Sequence, residues 1–154
     1  MKTFLVEDYA RIWIDEFIPC VFTSLNSSVD KNSMKFISES TRKALLEIKK
    51  ISKSRKIFSI TDLASCTKLS TEIIDAYCHI IDMEAKLGLK FKYIIEPHNK
   101  SEATLLNQVL SKWIYLPVSV FPNFEQALIE LNKEREKVYN WEETDEITYK
   151  SIHN

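Results

Sequence analysis

The sequence predicts an α/β protein: a mixed sheet of about five strands with at least four helices packed on it. Three observations predict it. An alternating stretch near the N-terminus turns back on itself, a strand, loop, helix pattern repeats three times between Lys56 and Asn140, and the 154 residues include a single glycine. Consecutive strands separated by helices pair in parallel through right-handed crossovers, so the last three strands should run parallel while the opening hairpin supplies the antiparallel part. The scarcity of glycine narrows the chemistry. Loops that cradle phosphates need several glycines, because the backbone must turn tightly and approach the ligand without a Cβ in the way.

Ala10 to Asp15 and Ile18 to Leu25 form the hairpin, with Ile12 and Ile14 alternating against Arg11 and Trp13 around a turn at Asp15 and Glu16. Pro19 has no N–H to give a ladder, so its strand starts there or lies at an edge. After the polar stretch Asn26 to Asn32, the residues Ile37, Thr41, Ala44, Leu45, Ile48 and Ile51 recur at helical spacing. That helix of roughly twenty residues ends on Lys49, Lys50, Lys53, Arg55 and Lys56, cations that complement a helix C-terminus and a solvated turn. No aromatic residue is interleaved among them, as a nucleic-acid surface would require.

Ile57 to Asp62 is the third strand. Ser70 caps the next helix, with Ile73, Ile74, Tyr77, Ile80, Ile81 and Leu87 as its buried face and Gly88 as the left-handed residue that stops it. Leu89 to Ile95 resumes as a strand in which Lys90 and Lys92 alternate with Phe91 and Tyr93, so one face is expected to be wetter. Asn99 and Glu102 have capping-box spacing ahead of a helix carrying Ala103, Leu106, Val109, Leu110 and Trp113. Tyr115 to Phe121 is the last strand, with Pro117 placing it at an edge, and Asn123 with Gln126 opens a final helix through Phe124, Ala127, Leu128, Leu131 and Val138. The pattern makes residues 1–140 one domain. Beyond it, 141–154 is an acidic, polar tail in which Trp141 and Tyr149 are the residues able to anchor it.

A chain of this length buries about 70% of its unfolded surface in one core, so no disulfide or metal is required to hold it. Lys and Arg number 21 against 22 Asp and Glu, and a net charge of -1 gives no field to draw in nucleic acid or an anionic membrane. Phe4, Leu5 and Val6 are too short an apolar run for a leader peptide, and no window suits a membrane span, which predicts a cytoplasmic protein. Cys20, Cys66 and Cys78 lack paired spacing and are expected to be reduced, mostly buried small hydrophobes, with Cys66 the one to suspect of reactivity. His79, His98 and His153 lack metal spacing, so no cofactor or metal is expected.

No hydroxyl or thiol sits on a glycine-flanked elbow, which argues against a nucleophilic triad and against an enzyme. Asp62 ends the third strand, where it suits an Asx turn. His98 follows Pro97 at the C-terminal end of a strand, the edge where open α/β sheets bind ligands; otherwise it is an exposed loop histidine. The loop from Asp62 to Thr71 is the richest in hydroxyls, with Ser65, Thr67, Ser70 and Thr71 leading into a helix N-terminus where added phosphate would be favoured.

The segments ARIWIDEFIPCVFTSLNS, KIFSITDLAS, EAKLGLKFKYIIEP and LPVSVFPNFEQALIEL resemble the STAS-like, SpoIIAA-like proteins, in particular small stand-alone members from bacteria of the Bacteroides group. The resemblance spans Tyr9 to Asn132. It implies a mixed sheet with helices, no cofactor and no catalysis. It also implies a regulatory protein that binds a protein partner through the loop after the third strand and the helix beyond. In the family a phosphorylatable Ser lies six or seven residues after an Asp-Leu pair, usually beside a Gly. Here Asp62 and Leu63 lead to Lys68 and Leu69, with Ser70 where that Gly would be.

The expectation is therefore a non-enzymatic interaction module working through Asp62, Ser65, Thr67, Ser70 and Thr71. The alternative is a small-ligand or lipid binder using the crevice near Asp62 and His98. A homodimer through helix faces stays open, since Pro19 and Pro117 guard the expected edges.

Overall fold

The computed structural model describes residues 1–15, 17–27, 29–52, 56–111 and 116–137. The chain order is β1 (Lys2–Val6), β2 (Ala10–Ile14), β3 (Cys20–Asn26), α1 (Lys31–Ile51), β4 (Phe58–Ser65), α2 (Thr71–Lys86), β5 (Phe91–Ile95), α3 (Lys100–Leu110), β6 (Val118–Phe121) and α4 (Phe124–Glu136). The expectations for Glu16, Lys53, Arg55, Trp113, Tyr115, Val138, Trp141, Tyr149 and His153, and for the tail 141–154, fall outside the described residues.

The strands lie side by side in chain order, β1-β2-β3-β4-β5-β6, antiparallel from β1 to β3 and parallel from β3 to β6. The sheet thus has six strands where about five were expected. The addition is β1, whose Thr3, Phe4, Leu5 and Val6 show no clean alternation because a register shift falls between Thr3 and Leu5. Of the two alternatives for Pro19, the strand start holds and the edge does not. The residue precedes β3, which is interior, while Pro117 does precede an edge strand, β6.

Two cores flank the sheet. On one face Ile12, Ile14, Val21, Leu25 and Ile94 pack with Ile37, Leu45 and Ile48 of α1, Ile74 and Ile81 of α2, and Leu106 of α3. On the other, Cys20, Phe22, Phe58, Ile60, Tyr93 and Ile95 pack with Ala127 and Leu131 of α4. Each fully buried aliphatic or aromatic side chain contributes about 1.5–3 kcal/mol, and the alternation along the strands feeds both layers.

The helix ends follow from local chemistry. Asp30 caps α1, its Oδ1 accepting from Ser33 N at 2.8 Å and from Ser33 Oγ at 2.7 Å. Those hydrogen bonds stabilise the carboxylate and hold the Asp30 carboxyl below its ordinary range. Gly88 has φ +99, with Gly88 N donating to Ala85 O and Leu89 N to Glu84 O, both at 3.0 Å, the paired closure that a left-handed residue permits. Lys49 Nζ adds a donor to the Leu87 carbonyl at 2.8 Å. Lys56 is not part of a solvated turn: it is buried, and its ammonium donates to the carbonyls of Glu134 and Lys137 at the end of α4.

One expectation about polarity is reversed. Lys92 does not face a wet side of β5; it is 2% exposed, because both faces of an interior parallel strand are covered. Its Nζ donates to Ser59 Oγ, Thr61 Oγ1 and Glu84 Oε1, each at 2.9 Å, and lies 5.3 Å from the Tyr77 ring centroid.

Candidate functional site

β4 runs on to Ser65, so the residue expected in the loop is the last of the strand. Asp62 plays the Asx role expected of it: its Oδ1 accepts from Ala64 N at 2.9 Å, and Cys66 N then donates to Leu63 O at 2.9 Å to close the turn. His98 is exposed, and its backbone N–H reaches the Ala64 carbonyl at 3.4 Å, tying the β5–α3 loop to the end of β4. Asp62 shares the α4 side of the sheet with Phe58 and Ile60, whereas α2 begins on the opposite side.

On the α2 side of the sheet, beneath the β4–α2 loop, the core is filled. Leu25, Leu63, Leu69, Ile73, Ile74, Tyr77 and Leu106 meet beneath the loop and leave a void of about 10 Å³, lined by carbon. A single water needs roughly that much space and polar partners besides, so there is no room here for a ligand.

What remains is a platform tied down from three directions. Ser27, in the turn after β3, donates its hydroxyl to the Ser65 carbonyl at 2.9 Å and accepts from Thr67 Oγ1 at 2.9 Å and Thr67 N at 3.3 Å. Leu69 is buried, and its N–H donates to Glu102 Oε2 of α3 at 2.8 Å. Glu102 thus leaves the capping of α3 to Asn99, whose Oδ1 accepts from Ser101 N and Glu102 N. Ser70 caps α2 as expected, accepting from Ile73 N at 3.2 Å.

Ser65, Thr67, Lys68, Ser70 and Thr71 are all exposed on this platform. Ser27 and Glu102 belong to it and were not legible as members, since each lies more than thirty residues away in sequence. The only hint was the spare carboxylate three residues after Asn99.

Cys66 is not a reactive thiol. It is 1% exposed, and burial, with Asp62 and Glu102 nearby, pushes its pKa up to about 12. Burial likewise raises Cys20 and Cys78. Among the described residues no cluster of three His, Cys, Asp or Glu could hold a metal ion, and no helix is long and apolar enough to cross a membrane.

The class defined by these observations is an α/β protein with a six-stranded mixed sheet and helices on both faces. Among solved structures the chain is similar to the protein TM1081, determined by NMR, with a TM-score of 0.56 and 16% sequence identity over 82% of this chain and 88% of that one. At that identity the likeness carries the fold alone. Neither a family model nor a curated protein matches the chain.

Proposed function

We propose that this protein is a non-enzymatic, STAS-like interaction module whose working surface is the end of β4, the loop to α2 and the first turn of α2. The observation that carries the reading is an exposed, hydroxyl-rich loop tied by hydrogen bonds to Ser27 of the turn after β3 and to Glu102 of α3. A preordered surface loses little entropy on docking, which favours recognition of another folded protein over capture of a small molecule. The hydroxyls of Ser65, Thr67, Ser70 and Thr71 give such a surface polar contacts and sites at which a phosphate would change its charge. The resemblance to SpoIIAA-like proteins points to the same loop and helix, while the missing Ser-Gly pattern argues against copying that family's switch in detail.

Small-ligand or lipid binding is the second reading, and one observation keeps it in view. An open groove of about 400 Å³ runs between α1 and α2, lined by Lys31, Met34, Lys35, Ser38, Glu39, Ala76 and His79.

The test is quantitative affinity capture from the native cell, comparing the unaltered chain with Lys68→Glu and Thr71→Arg, both at exposed positions. The interaction reading expects a stoichiometric protein partner that both variants lose while their melting temperatures stay unchanged. A partner retained by both variants defeats the proposed surface. A large, reproducible melting-temperature rise with one nucleotide or lipid defeats the interaction-only reading in favour of the groove.

A further inference from the structure

α1 and α2 are the crossovers that link the parallel neighbours β3, β4 and β5, so the two helices lie side by side and run in the same direction. The open groove between them, about 400 Å³, falls within the range of roughly 300–1,000 Å³ in which proteins hold small molecules. Lys31, Lys35 and Ser38 form its α1 wall, recurring at i, i+4 and i+7 as one stripe of the helix. Ala76 and His79 form its α2 wall, and Met34, buried against the core, supplies an apolar and deformable floor. Ser38 and Ala76 are small, so neither fills the furrow.

The polar groups of this groove are unengaged. The side chains of Lys31, Lys35, Ser38 and His79 make no hydrogen bond or ion pair among the described residues. Glu39, the only carboxylate among the lining residues, is already held: Arg42 donates to it through Nε at 3.2 Å and Nη2 at 2.7 Å, and these hydrogen bonds keep its carboxyl below the ordinary range. Two ammonium groups one turn apart are left to set the potential, close to the positive end of a 21-residue helix. Glu72 and Asp75 of α2 come one turn before Ala76 and His79 and do not line the groove, so its positive side is the α1 wall. An apolar floor beside free cations, a hydroxyl and an imidazole fits a ligand that is itself divided into a charged head and an apolar body.

We propose that the α1–α2 groove binds a small anionic amphiphile, its carboxylate or phosphate head held by Lys31 and Lys35 and its apolar portion lying on Met34 and Ala76. Ser38 and His79 supply further hydrogen bonds to the head. A neutral amphiphile gains nothing from the two ammonium groups and a cationic one is repelled by them, so the charge of the head decides affinity. This inference rests on the ligand-binding reading of the groove and names its ligand. The β4–α2 surface is tested by other variants, so either can fail while the other holds.

The experiment titrates the 154-residue chain with decanoate, decyl phosphate, decanol and decyltrimethylammonium, each below its micelle concentration, and follows binding heat and amide NMR shifts. Saturable binding of at least one anion is expected, with shifts centred on Lys35, Ser38, Ala76 and His79 and with decanol and the cation weaker by about tenfold or more. A preference for either anion supports the proposal and identifies the head. Lys31→Glu combined with Lys35→Glu should weaken the anion about tenfold at an unchanged melting temperature, whereas Lys43→Glu, exposed on the same helix outside the groove, should not. Should the double variant unfold, the shift map and the head-charge series decide. The proposal is overturned if neither anion saturates, if decanol binds as tightly, if the shifts fall outside the groove, or if the folded double variant binds unchanged.

Discussion

The ammonium of Lys92 on β5 lies 2.9 Å from the carboxylate of Glu84 on α2, with side-chain exposures of 1% and 0%. Two charges removed from water cost several kcal/mol each, and their attraction offsets this only when hydrogen bonds complete both groups. Lys92 uses its three protons on Ser59, Thr61 and Glu84. Glu84 is less complete, for its Oε2 meets no donor among the described residues. The pair sets the position of α2 over β4 and β5, and so of the helix that carries the proposed docking surface.

Breaking the pair from one side should therefore be severe. Lys92→Met leaves a buried carboxylate alone, and Glu84→Leu leaves a buried ammonium; each is expected to cost about 3–5 kcal/mol in urea unfolding. The double replacement should recover most of that loss. A double variant as unstable as the sum of the singles would mean that the two groups do not act as a pair.

Alkaline pH should destabilise the protein progressively. Burial alone pulls the Lys92 ammonium down, but Glu84 and Tyr77 outweigh it and its pKa is raised, so the stability it supplies is complete below the unfolded lysine value of about 10.4 and is lost as pH rises through the folded value. Burial raises the Tyr77 phenol, so the unfolded chain ionises first above about pH 10 and the same sign follows. The raised thiols of Cys20, Cys66 and Cys78 begin the decline earlier, from about pH 8.5, where unfolded thiols release their protons and folded ones do not. Melting temperature against pH should fall from there upward; a flat profile to pH 11 would contradict all three assignments.

The same thiols should be inert to a disulfide reagent in the native state. Reaction at pH 8 is expected only on unfolding, with all three cysteines appearing together in denaturant. Rapid modification of Cys66 alone would show that the β4–α2 turn opens locally.

Gly88→Ala isolates backbone strain from crowding. A Cβ there would meet nothing nearer than Lys49 Nζ at 3.8 Å, so the cost comes from φ +99 alone and is expected at about 1–2 kcal/mol by thermal unfolding.

Much of this was legible in the chain. Ser70, Asn99 and Asn123 signal helix starts through side chains that bond backbone two or three residues on, and Gly88 signals a helix end through a conformation other residues avoid. These are local effects, and local sequence suffices for them. β1 was not legible, because its register shift disrupts the alternation that announces a strand. The burial of Lys92 had one trace, a Glu at position 84 on the apolar stripe that runs through Tyr77 and Ile81 of α2.

By itself, then, the amino-acid order determined the α/β class, the parallel crossovers, the caps and the hydroxyl-rich loop, since each depends on periodicity or on bonds spanning a few residues. Only the tertiary structure decided that Ser27 and Glu102 brace the loop and that Lys92 meets Glu84 inside the core. Those outcomes depend on how distant segments share volume and hydrogen bonds, and no short stretch of sequence encodes that sharing.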